Sequence, residues 1–244
     1  MNNKVIISFK NVYKSFGDNE VLKDVNFVVN ETEDLVILGR SGSGKSVTIK
    51  CLVGLVKLDK GEIKVFDKVI SDLHSNELNE IRSRIGFMFQ NGALYDSMTV
   101  RQNLAFTLKH HKTEITEDQI QQNIIEALED VGLEEAIDKM PAELSGGMQK
   151  RIALARTLII RPEIILYDEP TSGLDTITSR EISELIISVQ KKRKTTSLII
   201  THDMACAKLT GNRIIILKDG SIYTEGSYDE LEESSDEWVR SFFV

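Results

Sequence analysis

A short run of glycines, serines and one lysine has the composition and spacing that phosphate binding requires. Residues 39–46 fit the pattern G-x-x-x-x-G-K-[ST]. Glycines let the backbone wrap around phosphate oxygens, and a following helix adds the positive end of its dipole. Lys45 can reach the β- and γ-phosphates of a nucleotide, and the Ser46 hydroxyl can bind Mg²⁺. The pattern therefore predicts that the following residues bind nucleotide: Gly39, Arg40, Ser41, Gly42, Ser43, Gly44, Lys45, Ser46 and Val47.

Two carboxylates follow the apolar run at residues 164–167. Ligands of open parallel sheets bind at the carboxyl ends of the strands, so Asp168 is predicted to hold Mg²⁺ or its waters. Glu169 is predicted to act as the general base that activates an attacking water. Gln90 and His202 each follow another apolar run. Gln90 is predicted to contact Mg²⁺ or the water, and His202 to hydrogen-bond the γ-phosphate.

A third polar group opens a helix at Ser145-Gly146-Gly147-Met148-Gln149. A serine at a helix start followed by two glycines offers a hydroxyl and exposed N–H groups to an anion. This loop belongs to a helical insertion, so it cannot easily serve the same phosphate within one chain. The economical hypothesis is a two-fold dimer in which this loop of one copy closes over nucleotide held by the other.

Alternating strands and helices must position these groups. The apolar patterns predict strands at residues 5–9, 21–29, 35–38, 62–66, 85–89, 164–167, 197–201 and 213–217. Helices are predicted at about residues 45–55, 117–133 and 175–192, and residues 100–158 have a helical pattern without a convincing strand. The alternation indicates a parallel sheet with helices on both faces and a helical insertion within it.

Composition excludes several classes of protein. The 244 residues carry a net charge of −8, which argues against a nucleic-acid partner. Cys51 and Cys206 form no C-x-x-C pair, so a disulfide scaffold or metal ribbon is not expected, and both are predicted to be core residues. No apolar run approaches the ~20 residues of a membrane span, and no signal peptide is recognised. A cytosolic globular protein is expected.

The ordered motifs resemble those of the ATP-binding cassette (ABC) ATPase family over residues 4–230. The motifs are residues 39–46, Gln90, residues 144–149, 164–169 and 172–175, and His202. The resemblance implies an α/β P-loop NTPase fold with a RecA-like core, an antiparallel β subdomain and an inserted α-helical subdomain at about residues 93–160. It implies the cofactors ATP and Mg²⁺, with Mg²⁺ at Ser46, Gln90 and Asp168.

The same resemblance implies a head-to-tail homodimer that sandwiches two ATP molecules. The signature residues Ser145, Gly146, Gly147 and Gln149 of one subunit would face the phosphate loop of the other, and Asp175 would couple the two sites. Phe16 matches the aromatic residue that stacks on adenine, with Tyr13 as a less favoured candidate.

A finer similarity involves residues 89–100, 140–148 and 236–243, which are similar to those of ATPases from Mla-type, or mammalian-cell-entry (MCE), lipid transport systems. It implies phospholipid transport through an integral membrane permease, with an MCE-domain lipid-binding protein and, as a further candidate, a small regulatory subunit. The protein would then lie peripherally on the cytoplasmic face of the bacterial inner membrane. Tyr167 and Gln149 depart from the usual residues of the family, at positions away from the expected chemistry.

Alternative functions stay open at this point. One is an importer or exporter of amino acids or metals, against which only the MCE-like stretches argue. Another is a non-transport ABC ATPase acting on ribosomes or DNA repair complexes, which the single cassette, short insertion and acidic charge disfavour. The basic cluster at residues 191–194 is expected to end a helix in solvent.

Residues 1–230 are predicted to form the cassette domain and residues 231–244 a tail that could stabilise a dimer. Trp238, Phe242 and Phe243 are expected to lie on one helical face of this tail. They could pack on their own domain or grip a second protomer, and the sequence favours neither.

Overall fold

The computed structural model describes residues 4–111 and 114–243. Residues 1–3 of the predicted cassette domain, residues 112–113 of the predicted insertion and residue 244 of the predicted tail lie outside the described residues. The strands of the described chain are β1 (Val5–Phe16), β2 (Asn19–Asn30), β3 (Asp34–Leu38), β4 (Lys60–Val65), β5 (Lys68–Val69), β6 (Ile85–Met88), β7 (Ile164–Asp168), β8 (Thr196–Thr201), β9 (Arg213–Lys218) and β10 (Ser221–Gly226).

The α-helices of the same residues surround two sheets. They are α1 (Lys45–Leu52), α2 (Ser75–Ser83), α3 (Val100–His111), α4 (Glu117–Glu129), α5 (Gly146–Leu158), α6 (Thr176–Arg193), α7 (Met204–Thr210), α8 (Tyr228–Glu232) and α9 (Glu237–Arg240). Short 3₁₀ helices lie at Ile70–Asp72, Glu134–Ala136 and Pro141–Glu143. None of the helices in the described ranges combines the length and apolar character of a membrane span.

The main sheet has the strand order β10-β9-β3-β8-β7-β6. Strands β9, β3, β8, β7 and β6 are parallel, and β10 pairs with β9 in the antiparallel sense at one edge. The carboxyl ends of β3, β8, β7 and β6 therefore lie side by side, with neighbouring strands about 4.8 Å apart. The segments that follow these strands carry the predicted phosphate loop, His202, Glu169 and Gln90.

Strand β3 shows why a continuous apolar run predicts a central strand. Leu35 and Ile37 belong to one buried cluster, and Val36 and Leu38 belong to the other. Successive side chains of a strand point to opposite faces, so both faces of this strand are buried. The prediction of a fully buried central strand is confirmed.

The first cluster fills the space between the main sheet, α1 and a smaller antiparallel sheet of order β2-β1-β4-β5. Phe9 of β1 stacks on Phe27 of β2, with ring centroids 4.3 Å apart. Strand β1 continues to Phe16, beyond the predicted end at residue 9, because its polar second half stays paired with β2 through several register shifts. Bulges of this kind break the alternation of apolar residues that the prediction relied on.

The second cluster lies on the opposite face and includes buried residues of α3, α4, α5 and α6. Between Val100 and Leu158 the described residues form helices and turns without a strand, which confirms the helical pattern predicted there. The predicted fold class, an α/β core with an antiparallel β part and a helical insertion, is confirmed. Cys51 and Cys206 are free and buried, as predicted.

The basic cluster ends α6 as predicted, and Lys191, Lys192 and Lys194 are exposed. Lys192 and Arg193 both pair with the carboxylate of Asp130, the residue that ends α4, and the Lys192 bond measures 2.6 Å. Hydrogen bonds from these two cations hold the pKa of Asp130 below its usual value against the opposing effect of burial. Two of the four cations therefore also join the helical insertion to the end of α6.

The tail packs on its own cassette in this single chain. Trp238 meets Tyr223 edge to face at 4.9 Å, and the Lys218 ammonium lies 4.0 Å from the Trp238 ring centroid. Phe243 meets Tyr228 in the same manner at 5.0 Å. These contacts agree with the alternative in which the tail packs on its own domain. Contact of the tail with a second protomer stays a prediction.

Candidate functional site

The phosphate loop connects β3 to α1 and is shaped by glycines at its two ends. A Cβ at Gly39 would lie 2.5 Å from Ser43 Oγ and 2.7 Å from the carbonyl oxygen of Leu217. Gly44 has a φ of +105°, and a Cβ there would lie 2.8 Å from the carbonyl oxygen of Val21. Only glycine tolerates such approaches, so the loop closes tightly and starts α1 with its backbone N–H groups exposed at the helix end.

A cavity of about 800 Å³ lies in front of this loop. It has the size of a small-molecule site. Its wall brings together residues that are far apart in the sequence: Asn19, Val21, residues 39–47, Gln90, Glu169, His202, Ser241 and Phe242. Each predicted phosphate-loop residue, and Gln90, Glu169 and His202, therefore meet at one cavity.

Lys45 places a buried positive charge in the cavity wall, next to the edge of the main sheet. The residue is only 8% exposed, and its ammonium donates to the carbonyl oxygens of Gly39 at 2.6 Å and Arg40 at 3.3 Å. Its Nζ also lies 3.9 Å from Oε1 of Glu169. Burial lowers the pKa of Lys45, and the nearby charges of Glu169 and Asp168 oppose that effect. The result is a buried cation with carboxylates on one side and cavity space in front.

Ser46 lines the cavity, and Asp168 at the end of β7 lies next to it but is not part of the cavity wall. The Ser46 hydroxyl donates to Oδ1 of Asp168 at 3.2 Å. Burial raises the pKa of Asp168, whereas the hydrogen bond from Ser46 lowers it and the charge of Glu169 raises it further. Hydroxyl and carboxylate oxygens are the ligands that Mg²⁺ prefers, with phosphate oxygens and waters completing an octahedron. The buried Ser43 Oγ has no hydrogen-bond partner and adds one more polar atom beside the loop, so these residues fit a magnesium nucleotide.

Glu169 is held in an unusual backbone conformation, with a φ of +51°. Its N–H donates to the carbonyl oxygen of Ile200 at 2.8 Å, which fixes the residue against β8. Oε2 of its carboxylate accepts from the backbone N–H of His202 at 3.3 Å and contacts Nδ1 of the His202 ring at 2.8 Å. Left-handed conformations of non-glycine residues are strained and cluster at functional sites. The carboxylate is thus oriented by its surroundings.

The predicted signature loop lies outside this cavity. Ser145 caps α5, its hydroxyl accepting from the N–H of Met148 at 3.3 Å. A Cβ at Gly147 would lie 2.6 Å from Thr178 Cγ2, so the loop sits close against α6. Gly146 and Gln149 line a second cavity of about 250 Å³, and Gln90 lines both cavities. Gln90 thereby connects the signature loop with the phosphate loop.

Asp175 caps α6 within its own chain. Its Oδ1 accepts from the N–H groups of Ile177 and Thr178, both at 3.0 Å, and the Thr178 hydroxyl donates to Oδ2. These hydrogen bonds lower the pKa of Asp175. The exposed Asp175 side chain therefore has a helix-capping role in one chain, separate from the predicted coupling role.

Phe16 does not line the cavity among the described residues. It is 51% exposed at the end of β1, with the Lys14 ammonium 5.2 Å from its ring centroid. Its Cα pairs across the hairpin with Asn19, which does line the cavity. Phe16 is therefore one hairpin pair away from the wall, with a large exposed ring face.

Four wall residues escaped the sequence analysis. Asn19 and Val21 come from the start of β2, and Ser241 and Phe242 follow α9. Phe242 meets Trp238 edge to face at 5.0 Å, which fixes the end of the tail beside the loop. A hairpin of polar residues and an aromatic tail carry no local signal for a nucleotide cavity, because only the tertiary fold brings them there.

A sequence model described as "ABC transporter" matches residues 22–172. The chain belongs to the ABC transporter family. Curated ABC relatives cover nearly its whole length. It is 40% identical to "Protein TRIGALACTOSYLDIACYLGLYCEROL 3, chloroplastic" of Arabidopsis thaliana, over 98% of this chain and 73% of that protein. It is 39% identical to "Probable ribonucleotide transport ATP-binding protein mkl" of Mycobacterium leprae, over 98% of this chain and 68% of that protein. It is 38% identical to "Methionine import ATP-binding protein MetN" of Clostridium tetani, over 93% of this chain and 70% of that protein.

Solved ABC cassettes have the same fold. A dimeric structure of the ATP-binding cassette MJ0796, in a post-hydrolysis state bound to ADP and Pi, has a TM-score of 0.83 and 34% identity, over 91% of this chain and 99% of that chain. The structure of cbiO1 from Clostridium perfringens, part of the ABC transporter complex cbiONQ, has a TM-score of 0.87 and 29% identity. The match covers 98% of this chain and 94% of that chain. This chain is therefore an ATPase of the ABC transporter family.

Proposed function

We propose that this ABC ATPase powers the transport of phospholipids or related lipids through an integral membrane permease and an MCE-domain lipid-binding protein. The observation that carries the proposal is the similarity of residues 89–100 and 140–148 to Mla-type ATPases. The relative named for trigalactosyldiacylglycerol, a galactolipid, supports a lipid substrate, since its 40% identity extends over 98% of this chain.

In the proposed mechanism, the phosphate loop holds the β- and γ-phosphates through its N–H groups, and Lys45 neutralises their charge. Ser46 and the adjacent Asp168 would hold Mg²⁺, together with Gln90, which lines the same cavity as Ser46. Bound Mg²⁺ supplies charge neutralisation to the terminal phosphates. Phe16 stacks on adenine from the edge of the cavity, which uses the exposed face of its ring.

Glu169 is the general base. Its carboxylate accepts a proton from the water that attacks the γ-phosphorus, and the bond between the γ-phosphorus and the bridging oxygen breaks to release ADP and phosphate. His202 keeps the carboxylate oriented through the 2.8 Å contact of its Nδ1 with Oε2 and reaches the γ-phosphate from the other side of its ring.

Two copies complete the site. Ser145, Gly146 and Gly147 of one subunit cover the nucleotide held by the other, because this loop lies outside the nucleotide cavity of its own chain. Gln149 supports that loop from within, since its amide donates to the carbonyl oxygens of Pro141 and Leu144. Asp175 then couples the two sites across the dimer.

The cassette of residues 1–230, with its insertion at about 93–160, docks on the permease at the cytoplasmic face of a bacterial inner membrane. The tail at residues 231–244 stabilises the assembly. A small regulatory subunit is a further candidate partner, and nucleic acid is not one.

Import of a small metabolite is the second candidate. It is favoured by the similarity to the relative named as the methionine import ATP-binding protein MetN. The mkl relative adds ribonucleotides as a possible cargo class. These relatives share the cassette, so the cassette alone does not choose a substrate.

Purification of the tagged protein from native membranes under mild detergent tests the proposal. A multi-span permease and an MCE-domain protein should co-purify in fixed ratio, and reconstituted complex should hydrolyse ATP faster in vesicles that contain phospholipid substrate than in detergent alone. Co-purification of an amino-acid-binding protein in place of the MCE-domain protein would refute lipid transport and support metabolite import.

A further inference from the structure

Lys150 is a buried cation in α5 that lies close to the catalytic edge of the sheet. The residue is 7% exposed. Its ammonium donates to the carbonyl oxygen of Gln90, to the carbonyl oxygen of Glu169 at 3.4 Å and to the Ser172 hydroxyl at 3.4 Å. An ammonium has three donors, so these three oxygens match its full capacity. One side chain of α5 thereby holds two segments that are distant in the sequence, the Gln90 segment and the turn from Glu169 to Ser172.

Burial disfavours the charged form of the Lys150 side chain. Burial lowers the pKa of Lys150, and the charges of Glu169 and Asp168 only partly oppose that effect. Its three hydrogen-bond acceptors are neutral oxygens. A buried ammonium without a paired carboxylate is stabilised by the geometry of its hydrogen bonds. The Gln90 segment and the turn from Glu169 to Ser172 must therefore keep their positions for all three hydrogen bonds of Lys150 to form.

Helix α5 grips the Gln90 segment at a second point. Arg156 donates to the carbonyl oxygens of Gly92, at 2.8 Å, and Ala93. A Cβ at Gly92 would lie 3.3 Å from the Ala153 Cβ, so the segment rests directly on the helix. Because α5 begins at the signature loop capped by Ser145, a movement of this helix changes the position of the signature loop and the Gln90 segment together.

Lys150 extends this connection to the catalytic carboxylate. Glu169 has a φ of +51°, and its carbonyl oxygen accepts from the N–H of Ser172 at 3.2 Å as well as from Lys150. A strained peptide keeps its conformation only while its surroundings over-determine it. Loss of the ammonium removes one of the bonds that hold this peptide and lets the carboxylate shift relative to the water it activates.

We propose that Lys150 is a positioning residue for ATP hydrolysis, which fixes the Glu169 peptide to the Gln90 segment and so links the helical insertion to the general base. The inference rests on the proposed role of Glu169. Lys150 lines the second cavity, beside the signature loop, and is not part of the wall of the nucleotide cavity of its own chain. We therefore expect its removal to change the rate of hydrolysis far more than the affinity of the phosphate loop for nucleotide.

The test compares Lys150→Met with Lys150→Gln in the full-length protein. Methionine keeps the length and removes the donors, whereas glutamine keeps a neutral donor. We expect Lys150→Met to lower kcat by about tenfold to a hundredfold, the effect of a displacement of about 1 Å. The Kd for ATP should stay within about threefold of the wild-type value, and Lys150→Gln should recover most of kcat.

Arg151→Met is the matched control. Arg151 is the next residue of α5. It pairs with Glu181 at 2.9 Å and donates to the carbonyl oxygen of Val131 at 3.3 Å, and neither partner belongs to the two segments that Lys150 holds. Its kcat should match the wild type within about twofold. If Arg151→Met lowers kcat as much as Lys150→Met does, general loosening of α5 explains the loss and the proposal is refuted.

Ser172→Ala provides a second test that survives if Lys150→Met does not fold. It removes one acceptor and should lower kcat by about two- to tenfold with an unchanged Kd. A wild-type kcat in folded Lys150→Met would overturn the proposal, and a wild-type kcat in Ser172→Ala would do so if Lys150→Met does not fold. Glu169→Gln, assayed in parallel, distinguishes failure of the positioning role of Lys150 from failure of the general-base role of Glu169. An inactive Glu169→Gln beside a fully active Lys150→Met refutes only the positioning role, whereas an active Glu169→Gln refutes the general base and the inference that rests on it.

Discussion

At the scale of single residues, Glu169 concentrates the features of a catalytic group. It lies 3.9 Å from the Lys45 ammonium, contacts the His202 ring and has a left-handed backbone. Hydrogen bonds on both sides of its peptide fix the carboxylate at the mouth of the cavity. This arrangement favours proton transfer over nucleotide binding as its contribution.

Glu169→Gln should therefore bind ATP and lose hydrolysis by roughly 10²–10⁴-fold, the usual contribution of a general base. Glutamine keeps the size and the contact with the His202 N–H but cannot take up a proton. Equilibrium binding of ATP and steady-state release of phosphate measure the two effects separately. Near-normal turnover would remove Glu169 from this role, and a loss of binding would show that the site had been disturbed.

Asp34 gives a second residue-scale prediction, which concerns stability. Burial raises the pKa of Asp34 from 3.8 to about 6, and one of its carboxylate oxygens has no hydrogen-bond partner. Between these pH values Asp34 binds more protons in the folded state than in the unfolded state, so its contribution to the free energy of unfolding falls as pH rises from about 4 to 6. Above that window the charged carboxylate is a constant cost.

Asp34→Asn removes this cost. We expect the variant to gain on the order of 1 kcal/mol in unfolding free energy over the wild type at pH 7.5, and much less at pH 4. Urea unfolding at both pH values measures the difference. The exposed Asp18→Asn serves as control and should change little at either pH. An equal effect of Asp34→Asn at both values would contradict the assignment.

At the scale of elements, sequence patterns predict the strands and loops that depend on neighbouring residues. They miss the contacts that depend on residues far apart in the chain. The apolar run of β3 and the glycines of the phosphate loop act locally, and both were predicted. The extension of β1 to Phe16 depends on pairing with β2. The positions of Lys150 and Phe242 depend on contacts between segments far apart in the chain. No periodicity or motif encodes such contacts.

The tail leads to the element-scale prediction. Trp238 contacts Tyr223, Phe242 and the Lys218 ammonium. Trp238→Ala should lower the unfolding free energy by about 1–3 kcal/mol, because it removes these aromatic and cation–π contacts. The exposed Ile125→Ala is the control and should have little effect. Unchanged stability of Trp238→Ala would contradict the packing seen here.

Sedimentation of the same variant without ATP separates the two hypotheses for the tail. Unchanged sedimentation assigns the lost stability to packing within one chain. A shift towards a lighter species assigns it to a grip on a second copy.

At the scale of the whole molecule, the two loops that could bind phosphate face different cavities. In the proposed head-to-tail dimer, one chain would supply half of each site, and hydrolysis would require a second copy. The dimeric structure of MJ0796, bound to ADP and Pi, has a TM-score of 0.83 to this chain. The division of the site between copies can be tested by complementation.

Two inactive variants should restore each other if the site is shared. Lys45→Ala damages the phosphate loop, and Gly146→Asp places a negative charge in the signature loop. A Cβ at Gly146 meets only Leu174 Cδ2, at 3.5 Å, so the substitution fits its own chain. A mixed dimer contains one site built from the intact halves of both variants, and a 1:1 mixture should recover about a quarter of the wild-type ATPase sites. Each variant alone should be inactive. Because a site within one chain is damaged in both variants, a mixture that stays inactive while forming dimers would contradict a shared site.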